Sequence, residues 1–305
     1  FTDPIPSISN HFKAEEFYCY AARVGSALAY VYFHRDFLAL GLTLCNLFEF
    51  VPLYKCLNQK PDLLYIFGAD YQGESYFYHD KEDDIYLGVA PRSSSVDYFG
   101  YMKKMLLTLY NVKMIDNGNL PLHGACVSLT LKNGSTKNVV IIGDSGAGKS
   151  ESLEALSEYA GEQISSQLTV FDDMGTFKLI DGEVIAYGTE IGAFVRLDDM
   201  ASGYAYREMD RAIFMNPDKI NSRLVIPVAT YNQIMKGYKV DMVLYANNFE
   251  DAPLQLKKFE HLNEALDTFI QGARFAKGTT QEVGLVESFF ANPFGPVQRE
   301  EQTRK

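Results

Sequence analysis

The spacing of hydrophobic positions changes along the chain, and the changes divide it. From Phe1 to about Leu57 apolar side chains recur at helical spacing, as at Phe17, Tyr20, Val24, Ala27 and Tyr30, which predicts a helical packing layer. Within it the richest apolar stretch, Phe37 to Leu53, is interrupted by Asn46 and Glu49 and falls short of the ~20 residues that span a bilayer. It is expected to be a core helix. Short β-prone runs at Leu63 to Phe67, Ser75 to His79 and Ile85 to Val89 then predict a small sheet, with turns at Gly68, Gly73 and Lys81 to Asp84. Helical spacing returns from Tyr98 to Val112, with Met102, Leu106, Leu109 and Tyr110 on one side and Lys103 and Lys104 beside them. On pattern alone that lysine pair belongs to a solvated face.

Beyond Leu120 the pattern is mostly strand. Leu122 to Leu129 reads as one strand, Asn133-Gly134 as a hairpin turn, and Val139 to Ile142 as the next strand. Leu168 to Phe171 predicts a further strand ending in Asp172-Asp173, and Asp181-Gly182 turns another hairpin. Strands are also expected at Glu183 to Tyr187, Arg223 to Val228 and Val240 to Tyr245, with helices around Tyr204 to Ala212 and His261 to Gly272. A division near Val89 to Tyr98 gives a smaller α/β N-terminal lobe, 1–95, read as incomplete, and a second domain, 96–305.

Between the strand Val139 to Ile142 and an apparent helix lies Gly143-Asp144-Ser145-Gly146-Ala147-Gly148-Lys149-Ser150, then Glu151. This is G-x-x-x-x-G-K-[ST] in the strand, loop, helix order that a phosphate-binding loop requires. Glycines permit the turns that aim successive backbone N–H groups inward, and the helix start adds partial positive charge. Lys149 is expected on the outer phosphates of a nucleotide and Ser150 on its Mg2+. Asp172-Asp173, at the end of an apolar strand, has the pattern of a carboxylate delivered to the metal beside such a loop.

Composition narrows the partners. There are 28 Lys and Arg against 39 Asp and Glu, a formal net charge of -11, so a general nucleic-acid binder is excluded and any anion must be held by a local site. Cys19, Cys45, Cys56 and Cys126 are scattered without a C-x-x-C pair, which suits reduced, buried thiols and a cytoplasmic protein. No membrane association is expected.

Several blocks occur in an order that resembles ATP-dependent phosphoenolpyruvate carboxykinases, from Tyr98 to about Gly295. Tyr98-Phe99-Gly100-Tyr101-Met102-Lys103-Lys104 is similar to that family's Y-G-x-E-M-K-K, His123-Gly124-Ala125-Cys126-Val127 to H-C-S-A-N, and Asp172-Asp173 to its G-D-D. Glu190 to Arg196 resembles E-G-G-C-Y-A-K, and Asn221 to Pro227 resembles N-T-R-V-S-Y-P. The phosphate loop instead resembles HPr kinase, where G-D-S-G-x-G-K-S-E lies between an H-G and a D-D segment. The resemblance implies an α/β carboxykinase-like P-loop fold, with a mixed-sheet C-terminal lobe closed by the smaller N-terminal one.

It also implies roles. Lys104, His123 and Asp173 would hold Mn2+, Ser150 would hold Mg2+, and Gly143 to Glu151 would hold ATP. Lys149, Asp172, Asp173, Arg196 and Arg223 would act in catalysis, the arginines against phosphate, with Tyr98, Lys104 and Ser145 facing the substrate. A lysine ligand must be neutral, which requires a pKa far below the ~10.4 of a solvated lysine. The family's N-lobe arginine for the substrate carboxylate has no clear match, Arg92 being a possible replacement, and Val127 stands where the family has Asn. Three readings follow: conversion of oxaloacetate and ATP to phosphoenolpyruvate, CO2 and ADP; an HPr-kinase-like transfer to a hydroxyl of a protein or small molecule, with Asp172 or Asp173 as general base; or a nucleotide sensor without catalysis.

Overall fold

The computed structural model describes residues 12–143, 146–159, 161–196, 212–215, 223–249, 256–276 and 283–305. Where helical spacing predicted a helix, β1 (Phe17–Val24) and β2 (Ala27–His34) form an antiparallel hairpin, with Val24 opposite Ala27 and Phe17 opposite His34. Nearly every position of these runs is apolar or aromatic, so a three-to-four spacing can be drawn through them without specifying a helix. Their Tyr, Phe and Val content favours the extended chain. Gly25, at φ +51°, makes the two-residue turn with Ser26.

Phe37 to Leu53 is likewise not one helix. A short helix at Leu38–Thr43 runs into a 3-10 turn at Leu44–Asn46, and β3 (Glu49–Phe50) follows. The polar interruptions Asn46 and Glu49 fall where the helical turns stop. β4 (Leu63–Ala69), β5 (Tyr76–Asp80) and β6 (Ile85–Pro91) agree with the expected small sheet but join the hairpin in a six-stranded one, ordered β3-β1-β2-β4-β6-β5. β2, β4 and β6 are parallel in it and the other pairs antiparallel.

Helix α1 (Phe99–Asp116) has 14 of its 18 residues buried, so it is covered on nearly every side rather than lying on a surface. Its Phe99, Met102, Leu106 and Tyr110 share one apolar core with Tyr65 and Phe67 of the first sheet and with Met174 and Val225 further along the chain. The core therefore runs across the expected lobe division at residues 95 and 96.

A second six-stranded sheet starts with β7 (Leu120–Leu131), β8 (Thr136–Ile142), β9 (Ile164–Ile180) and β10 (Glu183–Gly188), all antiparallel neighbours. Helix α2 (Lys149–Tyr159) leads from β8 towards β9 and sets Leu153 against Ala125, Val127 and Ile141. A three-stranded sheet follows, ordered β11-β13-β12, from β11 (Gly192–Arg196), β12 (Ile213–Met215) and β13 (Arg223–Pro227). The chain returns to the second sheet with β14 (Tyr238–Lys239) beside β10 and β15 (Met242–Tyr245) parallel to β8. Helix α3 (Leu262–Gln271) places Phe269 against the opposite face, in a cluster with Cys126, Val140 and Phe171, and β16 (Ala273–Phe275) pairs with β17 (Leu285–Glu287).

The fold is thus mixed α/β with several sheets, two of them mixed. The helix expected at Tyr204 to Ala212 lies outside the described residues, apart from Ala212 itself. All four cysteines are free thiols, but Cys19 and Cys45 are exposed rather than buried. Among the described residues no helix is long and apolar enough to cross a membrane.

Candidate active site

The phosphate-loop sequence sits where β8 ends, between β7 and the edge strand β15. The Gly143 N–H donates to the His123 carbonyl at 3.3 Å, which ties the start of the loop to β7. Asp144 and Ser145 lie outside the described residues. Gly146 and Gly148 have φ of +79° and +102°, conformations that bulkier residues rarely adopt, and α2 begins at Lys149. Lys149 is 7% exposed at the first position of that helix. Next to it, the Ser150 hydroxyl donates to Asp172 Oδ1 at 2.9 Å. A phosphate-loop serine paired with a carboxylate from a neighbouring strand is the donor set that holds nucleotide-bound Mg2+ in this class of loop.

Asp173 starts a second cluster. It has φ +151°, a rare conformation away from the regular extended one, and β9 bulges just before it, between the pairings of Phe171 and Thr169 with β7. Its Oδ1 lies 2.9 Å from His123 Nε2, and its Oδ2 accepts from Lys103 Nζ. Lys103 Nζ also lies 3.0 Å from Glu190 Oε1. Lys103, His123 and Glu190 are 2%, 1% and 3% exposed, so the charges balance one another rather than being screened by water.

Burial and proximity set the protonation states. Burial alone would raise the Asp173 pKa, but Lys103 and His123 hold it well below the usual carboxylate range. Burial, with Asp173 adding to it, pushes Glu190 up to about 8 against the pull of Lys103. Burial would also lower the pKa of Lys103, yet Asp173 and Glu190 together raise it above the ordinary lysine value.

The lysine that joins His123 and Asp173 is Lys103, not Lys104 as the resemblance implied. With 3.6 residues per turn, Lys103 falls on the buried stripe of Phe99, Leu106 and Tyr110, whereas Lys104 is only partly buried, its Nζ 4.9 Å from the centroid of the Phe294 ring that packs against His123. The solvated reading of the pair therefore fails for Lys103. Its place at i+4 from Phe99 was the sequence signal for burial.

His123 Nε2 and Asp173 Oδ1 lie 2.9 Å apart, the separation of adjacent corners of an octahedron with bonds of about 2.1 Å. Lys103 can join them as a ligand only where a metal displaces the proton that Asp173 and Glu190 hold on it above the ordinary lysine range, the opposite of the lowered pKa that the resemblance required. Among the described residues no group of three or more His, Cys, Asp and Glu could hold a metal ion. A metal here depends on the lysine.

Two residues without an assigned role in the sequence reading complete the surroundings. Glu190 is the second carboxylate of Lys103. Phe194 on β11 is a common wall: its ring centroid lies 5.6 Å from Lys103 Nζ, 5.3 Å from the Arg223 guanidinium and 6.2 Å from the Tyr98 ring. Arg223 is the direct cross-strand partner of Arg196, so the two expected phosphate arginines are neighbours in register. The Arg196 side chain is not described. Arg92 occupies a separate corner at the ends of β2, β4 and β6, with His34 Nε2 at 3.0 Å and Asp70 at 3.3 Å from its guanidinium. Neither a family model nor a curated protein matches the chain.

Proposed function

We propose that this protein is a nucleotide-dependent phosphoryl-transfer enzyme with a carboxykinase-like phosphate-loop fold, and that its reaction resembles the conversion of oxaloacetate and ATP to phosphoenolpyruvate, CO2 and ADP. The observation that carries this reading is the pair of clusters built on consecutive carboxylates: Asp172 with Ser150 of the loop, Asp173 with His123 and Lys103. In this reading ATP lies on Gly143 to Glu151 and Mg2+ on Ser150 and Asp172. Lys149, Arg196 and Arg223 neutralise the transferring phosphoryl oxygens. Lys103, His123 and Asp173 would hold Mn2+, which when bound supplies Lewis-acid charge for a developing enolate oxygen. Phe194 walls the space between the arginine and the lysine, and Tyr98 bounds the substrate side.

The HPr-kinase-like reading is favoured by the loop itself, through Asp144, Ser145 and Glu151. There a hydroxyl acceptor needs a base, and a carboxylate held ionised by Lys103 and a bond from His123 is a weak one. The base role falls to Asp172, because Asp173 is the one held by Lys103 and His123. Incubation with ATP, Mg2+ and Mn2+ separates the readings. Oxaloacetate-dependent ADP and phosphoenolpyruvate support the first, phosphorylation of a hydroxyl acceptor supports the second, and ATP binding without turnover of either substrate class refutes both in favour of the sensor.

A further inference from the structure

Asn248 follows β15, the parallel neighbour of the strand that feeds the phosphate loop. Its amide spans two separate pieces of backbone. Nδ2 donates to the Gly146 carbonyl at 3.2 Å and to the Phe275 carbonyl at 3.1 Å, while Oδ1 accepts the Phe275 N–H at 2.8 Å. Both amide hydrogens are therefore used, each on a different segment. The same edge is fastened again by the Tyr245 hydroxyl on the Ala273 carbonyl at 3.2 Å and by the Ala246 N–H on Ile142 at 2.8 Å.

A trans peptide is planar, with C=O and the following N–H on opposite sides. Holding the Gly146 carbonyl on Asn248 thus turns the Ala147 N–H of the same peptide to the opposite side, away from Asn248. Gly146, at φ +79°, lacks a side chain that would fix this orientation locally. We infer that Asn248 is a positioning residue: it sets the direction of a phosphate-binding amide and couples it to the β16–β17 hairpin, so that phosphate occupancy and hairpin order stabilise each other. The inference rests on the phosphate-site reading above.

The test uses the whole chain and two probes, Mg-ATP and inorganic tripolyphosphate, which has neither base nor sugar. Asn248→Ala should weaken both by the same factor, about tenfold, the loss of one well-placed hydrogen bond. Asn248→Asp keeps the shape and the acceptor for Phe275 but loses both donations and adds negative charge, so it should lose at least as much. Hydrogen exchange of the peptide covering 146–149 should quicken in both variants. Unchanged affinity for both probes in folded variants overturns the inference and leaves the phosphate site standing. A loss confined to Mg-ATP overturns it too, because Asn248 would then act at the nucleoside end. A wild-type protein that binds neither probe removes the phosphate site, and the coupling with it.

Discussion

Two of the buried lysines, Lys149 and Lys103, are differently constructed. Lys149 belongs to a local device: the strand, turn and helix that carry it are adjacent along the chain. Lys103 belongs to a distributed one, because its partners Asp173 and Glu190 come from β9 and the segment before β11, and His123 on β7 meets the same carboxylate. A local device is specified by spacing. A distributed one is specified by which face of each element is buried, and one residue of helical register decides it. The two differ in what their removal should cost, the first mainly binding and rate, the second folding stability.

The sharpest break in that comparison comes from the distributed centre. Lys103→Met leaves the buried Glu190 and the half-buried Asp173 without their shared cation and should cost about 3–5 kcal/mol in chemical unfolding. Lys104→Met, one position on, should cost less than about 1 kcal/mol. Equal losses in the two variants would return the centre to the register first expected. Adding Glu190→Gln to Lys103→Met should recover part of the loss, which a double-mutant cycle measures.

The local device should respond in the opposite way. Lys149→Ala should lower phosphoryl transfer at least about a hundredfold, the scale seen when one preorganised charge-stabilising group is lost. Its unfolding midpoint should move by only a few degrees. A variant that keeps its turnover removes the phosphate-loop assignment. Ser150→Ala comes next, with roughly a tenfold higher Mg2+ concentration for half-maximal rate, because one ligand to a weakly held hard cation is lost. Rates that respond to Mg2+ identically in Ser150→Ala and wild type would leave the bond from Ser150 to Asp172 a purely structural one.

The same contrast explains what could be read from the chain in advance. The loop and the Asn133-Gly134 and Asp181-Gly182 hairpins each have a signal within a few residues, and each appears at its expected place, whereas the strand expected to end at Asp172-Asp173 runs on through both as β9 to Ile180. The first fifty residues lack such a discriminating signal: aromatic and aliphatic residues fill both faces of β1 and β2, so periods of two and of three to four fit equally. Only the Gly25-Ser26 turn separates them. Lys103 was obscured by a different cause. A lysine beside a second lysine has the composition of a solvated face, and only carboxylates 70 and 87 positions away turn that stretch inward. Glu190 and Phe194 were visible only as members of a family-like segment, because their roles arise from contact with α1 and β13.

The smallest effect isolates Glu190. Its carboxyl is raised to about 8 while an unfolded-chain carboxyl titrates near 4.5, so between those values the folded protein binds more protons than the unfolded one. Stability should then fall as pH rises from about 5 to about 8, the opposite sign to a salt-bridged carboxylate. Asp173 has that opposite sign, but its contribution is lost only as pH falls through its depressed folded value, below this window. The charges that set Glu190 are Lys103, Asp173 and Asp172, and each is retained in Glu190→Gln. Unfolding of the chelator-treated protein at pH 5, 6.5 and 8 should show a decline on the order of 1 kcal/mol or more in the wild type beyond that in Glu190→Gln. Parallel curves for the two proteins would mean that Glu190 stays ionised throughout, and that Lys103 is balanced by two full negative charges at neutral pH.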